Sequence, residues 1–174
     1  MGKSILTPDQ KRLLEYISKD PKITDKFYLT GGTALAEFYL QHRLSEDLDF
    51  FSETEFAYFP FSHLGKFKSF GNLKISSILD IGVNKLQAIL GRNRGRDYFD
   101  LYLIMKQEKL NLREMRKKYR LKFDVNISDE ELAKACAEIL DAHDMPRFLG
   151  KIDWKQVEVF FLDESNNLRK NILS

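Results

Sequence analysis

Leu29-Thr30-Gly31-Gly32-Thr33-Ala34-Leu35-Ala36 and, a few residues on, His42-Arg43-Leu44-Ser45-Glu46-Asp47-Leu48-Asp49-Phe50-Phe51 are the stretches on which the fold turns. Phe27-Tyr28-Leu29-Thr30 is short, aromatic and aliphatic and stops at Gly31-Gly32, which predicts a buried strand entering a tight turn. Thr33 to Leu40 then resumes as a helix, and Leu48 to Phe51 predicts a second strand. If it is a strand, Asp47 and Asp49 project from one face, because side chains alternate with period two. Two converging carboxylates repel unless a cation sits between them, and hard oxygen ligands suit Mg²⁺ with phosphate oxygens completing the shell. The Gly31-Gly32 turn supplies the complement, since backbone N–H groups at a helix start approach an anion closely with the Thr33 hydroxyl in reach. Alone, a Gly-Gly turn or an Asp-x-Asp is more often ordinary structure; together they point to phosphoryl chemistry.

Working outward, Thr7 with Gln10 forms a capping box with Pro8 at the first helical position, predicting a helix over 7–18. Ser52 to Gly71 is rich in Phe, carries Pro60 and Gly65 and shows neither period, so it reads as loop with short strand pieces. Ser77 with Asp80 opens a helix running through Leu90, and Asp97 to Lys106 continues as another. Asn111 with Glu114, Ser128 with Glu131 and Asp153 with Gln156 each mark a further helix start. Strands early and helices late give an α+β class: a small mixed sheet followed by a helical part. The expected division is a sheet core with its N-terminal helix over 1–80 and a helical subdomain over 81–174.

Composition narrows the function classes. The chain has 174 residues, 43% hydrophobic and 13% aromatic, which excludes disorder for most of its length. Its 28 Lys and Arg against 26 Asp and Glu leave a net charge of +2 that hides a segregation. Lys85 to Lys122 holds 12 basic and 4 acidic residues, Phe123 to Ser174 only 6 basic and 11 acidic. A single cysteine, Cys136, no long apolar run, and helix-start chemistry at Thr7-Pro8 where a signal peptide would be apolar predict a reducing, cytoplasmic location. The three histidines, His42, His63 and His143, lack metal spacing, which argues against zinc. Cys136, Trp154, Leu140, Val157, Phe160 and Phe161 read as core, and Asp141 to Pro146 as a helix exit.

Lys85 lies in a helix otherwise rich in Ile, Leu and Ala. Such a lysine more often snorkels to the surface than aims its ammonium at an anion. Asp97 and Asp100, three apart on the next helix, share a face where they could orient Lys85 or an arginine, or cap the helix.

Gly31-Gly32-Thr33-Ala34-Leu35-Ala36, His42-Arg43-x-Ser45-x-Asp47-Leu48-Asp49-Phe50-Phe51, Lys85-Leu86-x-Ala88 and Arg96-Asp97-x-x-Asp100-Leu101-Tyr102, in this order, resemble the AbiEii/AbiGii-type nucleotidyltransferase toxins, MenA-like members included. The resemblance implies a polymerase-β-like nucleotidyltransferase fold, Mg²⁺ and a nucleoside triphosphate (NTP), a toxin paired with a cognate antitoxin, and an RNA acceptor such as tRNA. It implies metal binding by Asp47 and Asp49, a triphosphate held by Gly31, Gly32 and Thr33, and a loop braced by Arg43 and Ser45. Lys85 would contact phosphate, and Asp100, or else Asp97, would be the later acidic residue. Attack of an acceptor hydroxyl on the α-phosphate, with metal stabilising both attacking and leaving oxygens, is the implied reaction. The basic segment from Arg92 to Lys122 would track RNA, or else be a solvated helix face.

Relatives usually place a helix and a strand hairpin between the Asp-x-Asp strand and the lysine helix, with a third carboxylate on the hairpin. Here Phe59-Pro60-Phe61 follows Ser52-Glu53-Thr54-Glu55 almost at once, so the core is expected to be shortened after residue 55. That leaves a second expectation beside the enzyme: an inactive nucleotidyltransferase-fold module that binds RNA or a protein partner.

Overall fold

The structure is a computed structural model and describes residues 4–52, 61–150 and 153–173. The described chain falls into two compact units. One runs as far as Ile81 and takes back Arg147–Leu149; the other comprises Gly82–Pro146 and the chain from Gly150 onward.

The first unit starts with α1 (Pro8–Ile17) and the single turn α2 (Pro21–Thr24). The Thr7 hydroxyl accepts from the Gln10 N–H and the Gln10 side chain accepts from the Thr7 N–H, so the capping box forms as read. Strand β1 (Phe27–Thr30) runs straight into α3 (Gly31–Leu35), which continues as a π-helical turn over Ala36–Leu40 and ends at Gln41 in the left-handed region. The expected tight turn is thus the first turn of a helix. Strands β2 (Asp49–Ser52), β3 (Lys68–Phe70) and β4 (Leu73–Ile75) complete a mixed four-stranded sheet of order β2-β1-β4-β3. β1 pairs antiparallel with β2 and parallel with β4. The stretch read as loop with strand pieces therefore ends in a hairpin, and its second strand, β4, was not expected. Leu14, Leu29, Leu35, Leu73 and Ile75 are fully buried and form the core on which α1 and α3 pack.

The second unit is helical: α4 (Ile78–Gly91), whose first turn still belongs to the first unit, then α5 (Gly95–Glu108), α6 (Leu112–Phe123), α7 (Asp129–Ala137), a 3₁₀ turn (Glu138–Asp141) and α8 (Trp154–Leu173). Asn111 with Glu114 and Ser128 with Glu131 close full capping boxes, each worth about 1 kcal/mol. Val83, Leu86, Tyr98, Phe99, Leu101, Cys136 and Phe161 fill its core, and the Tyr98 hydroxyl donates to the Ala135 carbonyl at 2.7 Å. Leu140, expected in that core, is 63% exposed because the chain leaves α7 through the 3₁₀ turn, which rotates it outward. Trp154 and Phe160 are half-buried. Among the described residues no helix is long and apolar enough to cross a membrane.

Cys136 is fully buried, and burial, with Glu164 adding to it, pushes its thiol up to about 12. At pH 8 the thiolate fraction is then about 10⁻⁴. A disulfide reagent should therefore leave the native protein unlabelled and modify one thiol promptly in urea; stoichiometric native labelling within minutes would contradict this packing.

Candidate functional site: the glycine turn and its carboxylates

The turn from β1 into α3 is built by two glycines that no other residue can replace without displacement. Gly31 has φ +72, where L side chains are strained, and a Cβ added there would stand 2.0 Å from Asp49 Oδ2. A Cβ on Gly32 would stand 2.3 Å from Arg43 Nη2 and 2.9 Å from Ser45 Oγ. The absent side chains leave the space that the Asp49 carboxylate, the Arg43 guanidinium and the Ser45 hydroxyl occupy. Backbone register sets Asp49 there: Thr30 faces Asp49 across the β1–β2 ladder, which puts the carboxylate beside the next residue, Gly31.

The loop between the π-helical turn and β2 is pinned from three sides. The Thr33 hydroxyl donates to the Asp47 carbonyl. Gln10 Nε2 donates to the carbonyls of Ser45 (3.0 Å) and Glu46 (2.9 Å), so the residue that caps α1 also holds this loop. Arg43 bridges to Phe148, the Leu44 N–H donates to the Arg147 carbonyl and the Leu149 N–H to the His42 carbonyl, each at 2.9 Å. Arg43, only 3% exposed, also donates from Nη1 to the Leu44 carbonyl at 2.9 Å. Asp47 and Asp49 both face solvent. Asp47 precedes β2, so the strand alternation that was to align it with Asp49 does not govern it; its position comes from the pinned loop.

Seven of the sequence-derived site residues, Gly31, Gly32, Thr33, Arg43, Ser45, Asp47 and Asp49, thus belong to one turn-and-loop assembly. They fit a phosphate-bearing ligand with a hard divalent cation: two exposed carboxylates beside a glycine helix start, with the buried Arg43 and the Ser45 hydroxyl packed against Gly32. Sequence reading missed Thr30. It is 1% exposed and its Oγ1 has no hydrogen-bond partner among the described residues, an orphan at the mouth of the turn. A threonine ending a strand before Gly-Gly is the only signal the sequence carries for it. Among the described residues no cluster of three or more His, Cys, Asp or Glu forms; Glu53, Glu55 and the Phe59-Pro60 segment lie outside them.

The second unit brings Lys85, Asp97 and Asp100 together. Lys85 Nζ lies 2.6 Å from Asp97 Oδ1 and 2.8 Å from Asp100 Oδ2, with both aspartates fully buried. Arg92 Nε holds the other Asp97 oxygen at 2.8 Å. The snorkelling expected of Lys85 is overturned, because α5 presents two carboxylates one turn apart to its ammonium. Asp97 is not a helix cap: its side chain turns to Lys85 and Arg92. Burial alone would raise its carboxyl pKa, but Lys85 and Arg92 outweigh that and hold it below the ordinary carboxylate value. The basic turn is largely neutralised, since Arg94 and Arg96 share Asp144 at 3.8 and 3.3 Å.

Against known proteins, the model of the family described as the AbiEii nucleotidyl transferase toxin of type IV toxin–antitoxin systems matches residues 12–80 and 69–165. An uncharacterized protein of Aquifex aeolicus (strain VF5) is 25% identical over 196 aligned residues, spanning 90% of this chain and 94% of its own length. That alignment is longer than the 174-residue chain, so the Aquifex protein carries residues with no counterpart here. Two Helicobacter pylori crystal structures, each 18% identical, share the fold: JHP933, with TM-score 0.57 over 94% of this chain and 91% of that one, and a presumptive nucleotidyltransferase, with TM-score 0.56 over 95% and 97%.

Proposed function

With the chain's membership of the AbiEii nucleotidyltransferase toxin family as premise, we propose that it transfers a nucleotide from an NTP to a hydroxyl of an RNA acceptor, tRNA being the acceptor class we favour, in the cytoplasm and under the control of a cognate antitoxin. The observation that carries this reading is the glycine turn, vacated by two missing Cβ atoms and overlaid by Asp49, Arg43 and Ser45.

In this reading Asp47 and Asp49 hold Mg²⁺, which when bound would offset charge on the attacking and leaving oxygens. Gly31, Gly32 and Thr33 receive the triphosphate, with backbone N–H groups as donors. Arg43 and Ser45 hold the turn and loop in mutual register. Lys85 takes the phosphate contact its position in the family motif implies; its ammonium has three protons, of which the two aspartates engage two. Asp97 and Asp100, fully buried, act through Lys85 as positioning residues and not as metal ligands.

The test is incubation of the protein with each of the four α-³²P-labelled NTPs and total RNA, with Mg²⁺ or with EDTA. Labelled RNA with Mg²⁺ and none with EDTA is the expected result. A folded protein that labels no RNA with any NTP would overturn the RNA acceptor, and label on the protein itself would redirect the reading to a protein hydroxyl.

A further inference from the structure

Helix α6 has a buried and an exposed face, with Lys122 buried and Leu121 exposed near its end. Leu112, Met115, Tyr119 and Phe123 are buried, while Arg113, Lys117 and Arg120 are exposed at spacings of four and three. Those three cations form a stripe about 10 Å long on one side of the helix. None of them has an ion-pair partner among the described residues. The Arg92, Arg94 and Arg96 turn is spent on Asp97 and Asp144, whereas the charges of this stripe are not.

The stripe does not stand on a flat surface. It forms one wall, with Arg116, of a groove of about 560 Å³, and Asn167 and Asn171 of α8 stand among the residues lining it. Four cations face two carboxylates there, Asp129 and Glu164, and Asp129 is already neutralised by Arg116. A helical peptide docking in such a groove needs apolar anchors at i, i+3, i+4 and i+7, and this wall presents cations at those spacings. Arginine forks and lysine suit phosphate oxygens, and asparagine amides both donate and accept, as base edges require. A positively charged groove that tracks a backbone is how single strands are held.

We infer that the groove between α6 and α8 binds the phosphate backbone of a single-stranded segment of RNA, with Arg113, Lys117 and Arg120 each meeting a phosphate. This rests on the RNA-acceptor reading but concerns binding, so it is read separately from transfer.

The experiment is fluorescence anisotropy of a labelled 12-nucleotide single-stranded RNA titrated with the full-length protein from 50 to 200 mM KCl. Three phosphate contacts give a slope of log K against log salt of about −2, an affinity loss of about twentyfold across that range. In Arg113→Gln/Lys117→Gln/Arg120→Gln the slope should become nearly flat; in Lys117→Gln alone it should shrink by about 0.7. The exposed set Lys19→Gln/Lys22→Gln/Lys26→Gln makes the same charge change on the other unit and should leave the slope as it is. An unchanged slope in the groove variant, or an equal loss in the control, overturns the proposal. So does a polyglutamate peptide of matched charge that displaces the RNA with equal affinity, which would assign the groove to an acidic protein segment. Groove variants that still bind NTP but lose RNA support it whether or not the wild type transfers a nucleotide.

Discussion

Asp49→Asn is expected to lower nucleotide transfer by about 10³-fold or more, the scale on which preorganised charge stabilisation is lost, while the protein stays folded. Asparagine keeps the shape of the side chain that lies over Gly31 and removes its charge, so the turn keeps its geometry but holds a hard cation poorly. Because Asp49 is exposed, stability should change by no more than about 0.5 kcal/mol. Two measurements check this: the initial rate of labelled-nucleotide incorporation at saturating NTP and Mg²⁺, and thermal melting with and without Mg²⁺. The variant should melt like the wild type without metal and lose any rise in Tm that Mg²⁺ gives. Transfer within a few-fold of wild type would remove Asp49 from the reaction. Asp47→Asn should behave alike; a folded, active Asp47 variant would leave that residue only its backbone role as acceptor for Thr33.

Lys85→Met has the largest expected effect on stability, a loss of about 3–5 kcal/mol, since it leaves two fully buried carboxylates without their shared cation. Asp97 keeps Arg92, which moderates the penalty on its side. Adding Asp97→Asn and Asp100→Asn to Lys85→Met should restore most of the stability, because replacing a buried ion group as a whole is often neutral. Urea denaturation of the single and triple variants measures both. If the triple variant regains stability and not transfer, Lys85 acts in the reaction and not only in the fold; regained transfer would make the cluster purely structural. The pH dependence has a definite sign. The Asp97 pKa is depressed in the folded protein, so its contribution is present above the unfolded value, about 3.9, and is lost as pH falls through the lower folded value. Stability should therefore fall below about pH 4, and Asp97→Asn should shallow that acid limb.

What could be read from the sequence was whatever is decided locally. The starts of α1, α6 and α7 were legible because a capping box is contained in four residues, and β1 because two aromatics, a leucine and a threonine stop at two glycines. The hairpin was not, because β3 and β4 have three residues each, too few for a period to show, and β4 owes its place to pairing with β1, far off in sequence. Within the site, the residue types at the glycine turn were legible from spacing, but the hold of Gln10 on the loop and the orphaned Thr30 hydroxyl are long-range facts. For Lys85 its own helix favoured snorkelling, and the alternative, orientation by Asp97 and Asp100, was legible only from the next helix, where the two aspartates share a face.

The pairing of Thr30 with Asp49 carries a consequence for how this protein can vary. Successive side chains on a strand point to opposite faces, so slipping β2 by one residue against β1 would carry the Asp49 carboxylate away from Gly31 and turn Phe50 and Phe51 over together. The eight residues 41–48 act as the spacer that sets this register, fastened at Gln10, Thr33 and Arg147–Leu149. Change at its exposed positions, such as Leu44 and Glu46, alters no register, whereas a single inserted or deleted codon does. In this segment length is more constrained than identity, and an indel there would switch the site off in a chain that still builds its helices.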